Sequence, residues 1–235
     1  MENSAVDSDY RAALGFLLDR INYEQNPAAA QTMRNFKLDR MGKLLAELGN
    51  PQDRVPVVHV AGTKGKGSTA SMLASILGHA GLRTGLYTSP HLNQLEERFQ
   101  VNGENCTQQE LITLVDRLRP AVTTLEKQES ASPTYFELTT ALAWLHFATS
   151  SVDIAVIEVG MGGRLDSTNI CQPLISVITS ISLDHTAQLG NTLAEIAAEK
   201  AGIVKPGITV ISGVTEAEPR DVIHRIVQQR DAPLF

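Results

Sequence analysis

VPVVHVAGTKGKGST, running from Val55 to Thr69, is the stretch on which the fold turns. Its β-branched first half is too short for a helix and too uniformly apolar for a half-exposed strand, so it predicts a strand buried on both faces. It breaks into the glycine-rich run Gly62 to Gly67, and STASMLASILGHAG (68–81) then carries a helical pattern that stops at Gly81, a C-cap residue. In a strand, glycine loop and helix placed in that order, backbone N–H groups and the positive helix end can meet an anion, and a lysine can neutralise it. The GxxxxGK[ST] spacing is not met, because Gly62 precedes Lys66 by four positions and Gly67 follows the lysine. A plain tight turn therefore stands beside the phosphate cradle, and the flanking strand and helix favour the cradle.

Outward from this unit the chain alternates. Upstream, Leu14, Leu17, Leu18 and Ile21 recur at helical spacing, as do Met41, Leu44, Leu45 and Leu48 before Gly49-Asn50-Pro51. Between them, Asn22 to Gln31 reads as a polar loop. Downstream, strands are predicted at Arg83 to Thr88, Val152 to Val159, Leu174 to Ile181 and Thr209 to Ser212, with a further extended piece at Glu97 to Asn102. Helices are predicted at Thr107 to Leu118, Thr134 to Thr149, Thr192 to Ala201 and Pro219 to Gln229. Apolar strands alternating with helices predict an α/β fold, a mostly parallel sheet with helices on both faces. At 235 residues the chain has room for one large domain.

Composition excludes several function classes. Twenty Lys and Arg against 26 Asp and Glu give a net charge of −6, so no global basic field draws nucleic acid or an anionic membrane, and any phosphate must be met locally. Cys106 and Cys171 form no disulfide framework and no zinc pattern. Acidic residues stand near the N-terminus and no apolar run reaches membrane-spanning length, which predicts a soluble, cytoplasmic protein.

Ligands of parallel sheets bind beyond the carboxyl ends of the strands, so the residues there carry the functional reading. YTSPHL places Ser89 and His91 at one strand end, where Ser-Pro is also an ordinary turn. Glu158 ends an otherwise apolar strand, and a carboxylate there is either solvated or bound to a cation such as Mg²⁺. SLDHT presents Asp184 and His185, and AAEKAG presents Lys200; on spacing alone His185 is a packed or surface histidine, and Lys200 a surface ammonium pairing with Glu195 or Glu199.

HVAGTKGKGST (59–69), GLYTSPHL (85–92), ERFQVNG (97–103), TYFELTTALAW (134–144), EVGMGGRLDSTN (158–169), TSISLDHTAQLG (179–190) and AEIAAEKAGIVKPG (194–207) together resemble the successive motifs of the folylpolyglutamate synthase and dihydrofolate synthase family, within the Mur ligase superfamily. The resemblance implies a P-loop NTPase-like central domain spanning 1–235, and an ATP-dependent amide ligase of folate biosynthesis that joins L-glutamate to dihydropteroate or folate through an acyl phosphate. By the same match Gly65, Lys66, Gly67 and Ser68 hold the ATP phosphates, and Ser89, Glu158 and His185 ligate Mg²⁺. Lys66, His185 and Lys200 serve catalysis, with Lys200 as a carbamylated lysine. Asn22, Tyr23, Glu24, Thr134, Tyr135, Phe136, Glu137, Leu165, Asp166 and Ser167 line the pterin or folate site. The implied partners are these small molecules, with no nucleic acid, no membrane and a monomeric state.

Two departures accompany the resemblance. Lys64 stands where the family usually has Asn, and the chain stops at Phe235, whereas family members continue into a C-terminal domain that contributes to the ATP and glutamate sites. The second departure predicts either a ligase completed by such a domain or an isolated nucleotide- and pteroate-binding module.

Overall fold

The computed structural model describes residues 2–24, 38–128 and 132–235, so residues 25–31 of the predicted polar loop lie outside the described residues. Among those described, the strands β1 (Val57–Ala61), β2 (Thr84–Tyr87), β3 (Phe99–Val101), β4 (Glu104–Asn105), β5 (Ile154–Glu158), β6 (Ile175–Ile178) and β7 (Thr209–Ser212) form one sheet in the order β4-β3-β2-β5-β1-β6-β7. Strands β2, β5, β1, β6 and β7 are parallel, and β3 and β4 close one edge as an antiparallel pair. β1 is the buried centre, as its sequence requires, with all five residues buried between β5 and β6.

Helices lie on both faces, unequally. Register puts Val57, Ala155 and Ile157 on one face, where they join the main core with α1 (Glu2–Leu18), α2 (Leu38–Glu47), α4 (Gln108–Gln128) and α5 (Tyr135–Thr149). Ile178 and Val210 point the same way and pack with α7 (Leu193–Lys200) and α8 (Ala217–Gln229). On the opposite face Val58, Val60, Leu86 and Val156 are covered by α3 (Lys66–His79).

Several predicted boundaries move for identifiable reasons. α1 begins earlier and ends before Ile21, which is exposed. Pro51–Arg54 form a 3-10 turn, so β1 starts at Val57 and not at Val55. Leu95–Arg98 is likewise a 3-10 turn, held by a capping box in which the Glu97 carboxylate accepts from the Gln94 amide, and only Phe99–Val101 is strand. α4 runs on past Pro120 to Gln128, because Pro120 is on the exposed side while Ala121, Val122 and Leu125 continue the buried stripe. Between β6 and α7 a one-turn helix, α6 (Thr186–Leu189), was not anticipated; His185 precedes it with φ 46°, left-handed for a residue with a side chain.

Candidate active site

The carboxyl ends of β1, β2, β5 and β6 meet around the glycine loop. Gly65 takes φ 79° as N-cap of α3, so Lys66 opens the helix and the amides of its first turn are free of intrahelical acceptors. The loop is held against the end of β6 by a compact set of bonds. The Thr63 amide donates to the Ser180 carbonyl (2.7 Å), and the Lys64 amide to Ser180 Oγ (3.1 Å). Thr179 Oγ1 and Ser180 Oγ donate back to the Lys64 carbonyl at 2.7 and 3.0 Å. The resulting cradle is preorganised rather than floppy, and an anion at the α3 N-terminus would meet backbone N–H groups, Lys66 and the exposed Ser68.

Glu158 faces this cradle from β5. It is 5% exposed, its Oε2 accepts from the Ser89 amide (3.2 Å), and a Cβ added to Gly67 would stand 3.3 Å from that same oxygen. Burial pushes its carboxyl above the usual range, and the Ser89 amide and Lys66 offset this in part. A buried acid with so few donors, set beside a phosphate cradle, fits a divalent cation. Glu158 and Ser89 thus stand together. Among the described residues no three His, Cys, Asp or Glu side chains are placed to hold a metal, and His185 is half exposed beside Asp184 at 3.8 Å. A Mg²⁺ bound mainly through phosphates, water and one carboxylate fits this donor set without a second acid.

Lys200 overturns the surface-ammonium reading. It is 2% exposed at the end of α7, and its Nζ donates to the Gly62 carbonyl (2.8 Å), directly beneath the cradle. Glu195 is taken up in the capping box of α7 and Glu199 in a pair with Arg164, so neither serves Lys200. Burial first and Lys66 second pull the amine down to about 8.

Each of the three segments assigned to a pterin or folate is held by contacts of its own. Asn22 Oδ1 accepts from the Glu24 amide, Glu24 grips Arg98 through both carboxylate oxygens (2.9 and 2.5 Å), and Tyr23 lies between them in sequence. The Arg98 guanidinium, 1% exposed, also donates to His91 Nδ1 (2.9 Å) and stacks over Tyr135 at 5.4 Å. Phe136 packs so tightly on Gly160 that a Cβ there would fall 2.4 Å from its ring. Thr134 caps α5, while Glu137 is buried and bound to Arg40, a structural commitment the motif alone does not reveal. Leu165 is half-buried, Ser167 and Asp166 are buried, and the Asp166 carboxylate accepts from Thr168 and from the Met161 amide. The motif ERFQVNG contains Arg98, but spacing cannot show that a charge at that place is buried and shared between Glu24 and His91.

Comparison with known proteins follows the same lines. A family model described as the Mur ligase middle domain matches residues 60–216. The chain is 46% identical over 197 residues to the dihydrofolate synthase/folylpolyglutamate synthase of Bacillus subtilis, covering 83% of this chain and 46% of the relative. It is 45% identical over 175 residues to the folylpolyglutamate synthase of Lacticaseibacillus casei, covering 74% of this chain and 41% of the relative. A solved folylpolyglutamate synthase complex with AMPPCP and folate superposes with a TM-score of 0.88 at 36% identity, over 96% of this chain and 53% of the other. The Mycobacterium tuberculosis folylpolyglutamate synthase with ADP gives 0.86 at 33% identity, over 97% and 50%. The chain spans about half the length of the relatives it matches.

Proposed function

This chain belongs to the Mur ligase middle-domain family, and on that premise we propose that it is the nucleotide- and pteroate-binding part of an ATP-dependent, ADP-forming ligase that joins L-glutamate to dihydropteroate or folate. The observation that carries the reading is the buried Glu158 carboxylate facing a preorganised glycine loop that ends in Lys66 at the N-terminus of α3. Phosphoryl transfer to a carboxylate brings two anions together, and positioned cations and N–H groups lower its barrier without a nucleophilic side chain. Lys66 and the loop amides of residues 65–68 would hold the phosphates, and Glu158 and Ser89 would hold Mg²⁺, which supplies charge neutralisation when bound. Phe136, Tyr135 and the loop 161–167 would offer the pteroate an aromatic and polar wall. The substrate carboxylate would take the terminal phosphoryl group of ATP to give an acyl phosphate and ADP, and the glutamate amine would then attack the acyl carbon, displacing phosphate and forming the amide.

Two finer assignments accompany this reading. His185, half exposed beside Asp184, would serve as a further ligand to the metal. Lys200 is suited to carbamylation because the reaction needs a free amine: at pH 8 an ordinary lysine is on the order of 0.3% unprotonated, whereas one with its pKa near 8 is half so. The one remaining N–H of a carbamate nitrogen could keep the bond to Gly62. The protein is taken to work as a monomer in the cytoplasm; among the described residues no helix is long and apolar enough to cross a membrane.

The test is ADP release with dihydropteroate or folate and glutamate, with and without a supplied C-terminal domain from a relative, run beside a thermal-shift panel. Binding stabilises only through the native state, so ATP with Mg²⁺ and dihydropteroate should each raise the midpoint. A shift by a UDP-muramoyl peptide and by neither pteroate nor folate would overturn the substrate assignment.

A further inference from the structure

We propose that His59, buried in the middle of β1, is a positioning residue for the pteroate loop, acting through Thr168 to hold the Asp166 carboxylate and with it the shape of residues 161–168. The inference rests on the substrate reading above only for the identity of the ligand.

His59 is the one polar residue of β1 and has no exposure to solvent. An imidazole in the central strand of a sheet is costly unless it is bonded, and a valine would fill the same position in a buried strand. Its Nε2 lies 2.8 Å from Thr168 Oγ1, 109 residues away in the chain. That hydroxyl donates its single proton to Asp166 Oδ1. It can therefore only accept from His59, which places the ring proton on Nε2 and leaves Nδ1 bare. The accounting agrees with His59 Nδ1 having no hydrogen-bond partner. Burial drives the ring's pKa down to about 3, so this neutral tautomer persists at physiological pH.

The far end of the relay is a loop tied to one carboxylate. Asp166 Oδ1 accepts from the Thr168 amide (3.0 Å) as well as the hydroxyl, and Oδ2 accepts from the Met161 amide (2.9 Å), so both ends of the loop hang on the same side chain. Gly160, against which Phe136 packs, is the residue before Met161. On the other side Asn169 Nδ2 donates to the carbonyls of Arg164 and Gly202, and Lys205 Nζ donates to the Asn169 carbonyl. His59 also lies three residues before Gly62, so the strand that feeds the phosphate cradle is the one that braces the pteroate wall.

The test combines a spectroscopic signature with a ligand split. In long-range ¹⁵N–¹H correlation spectra of the histidine-labelled protein, His59 should show the neutral Nε2–H tautomer, unchanged between pH 5.5 and 8. Thr168→Val should shift those signals and raise the exchange rate of the Met161 amide at least tenfold, while Thr168→Ser should do neither. By calorimetry Thr168→Val and His59→Phe should lose at least tenfold in dihydropteroate affinity, with Mg²⁺-ATP affinity within twofold of the parent. Thr168→Ser and His59→Gln, which keep a hydroxyl and an N–H donor, should bind dihydropteroate within threefold of the parent. An Nδ1–H tautomer, a titrating ring, or a Thr168→Val protein with parental amide exchange would overturn the proposal. Should the parent bind no pteroate while the tautomer and exchange results hold, the substrate reading fails and the positioning role stands.

Discussion

Replacing Glu137 separates a scaffold role from a substrate contact. Its carboxylate accepts from Arg40 Nε at 2.9 and 3.0 Å and from Arg40 Nη2 at 2.7 Å, and within its own turn from the Thr134 amide and hydroxyl at 2.7 and 2.8 Å. Both ionic side chains are less than a tenth exposed, and the pair joins α2 to α5 across 97 residues. Glu137→Ala strips a buried guanidinium of this partner, which costs about 3–5 kcal/mol, and opens the capping box of α5, which adds roughly 1 kcal/mol. The sum, about 4–6 kcal/mol, is a large share of an ordinary domain's roughly 5–15 kcal/mol. At about 2–4 °C per kcal/mol for a chain of this size the midpoint should fall on the order of 10–20 °C. Urea unfolding followed by fluorescence of Trp144, the lone tryptophan and fully buried in the same helix, gives the free energy directly. The double variant Arg40→Met, Glu137→Met should recover most of the loss, because neither charge is then desolvated. A Glu137→Ala protein within about 1 kcal/mol of the parent, or additive losses in the double variant, would refute the reasoning; reduced pteroate affinity at parental stability would make Glu137 a substrate contact instead.

The remaining predictions concern the cradle. Lys66→Ala should cut ATP affinity at least tenfold while moving stability by no more than about 0.5 kcal/mol, the ordinary range for a residue outside the core; calorimetry and a melt together check it. Glu158→Ala should weaken nucleotide binding in Mg²⁺ far more than in EDTA, and equal losses in both would mark the carboxylate as structural. Gly62→Ala puts a Cβ 1.9 Å from Thr179 Oγ1 at a φ of 150°, so it should cost about 1–3 kcal/mol by overpacking and abolish nucleotide binding, as unfolding and binding curves would show. For Lys200 the folded state binds fewer protons than the unfolded state between pH 8 and 10.5, so the parent should gain stability relative to Lys200→Met as pH rises through that window, and suffer the full burial cost below it. Bicarbonate should raise the parent's midpoint more at pH 8.5 than at pH 7 and leave Lys200→Arg unmoved; a parental midpoint indifferent to bicarbonate would argue against the carbamate.

What the amino-acid sequence determined by itself was whatever acts within a turn or a strand. The β-branched run into Gly62 and the lysine-bearing loop specify strand, cradle and helix N-terminus locally. Thr134 with Glu137 and Thr192 with Glu195 write their own helix starts three residues apart. Such rules reach about four residues, and they also mark which strand ends carry polar side chains. Tertiary structure decided everything that depends on a partner far along the chain: that β5 inserts between β2 and β1, that α4 continues through Pro120 because its buried stripe does, and that one face of the sheet carries most of the helices. It also decided the chemistry of single charges. Lys200, Arg98 and Glu137 look like solvated residues in a string of letters, and each becomes a buried, committed group only when Gly62, Glu24 and Arg40 are brought to it. The physical reason is that burial sets the worth of a charge, and burial is a property of packing between distant segments that no local pattern contains.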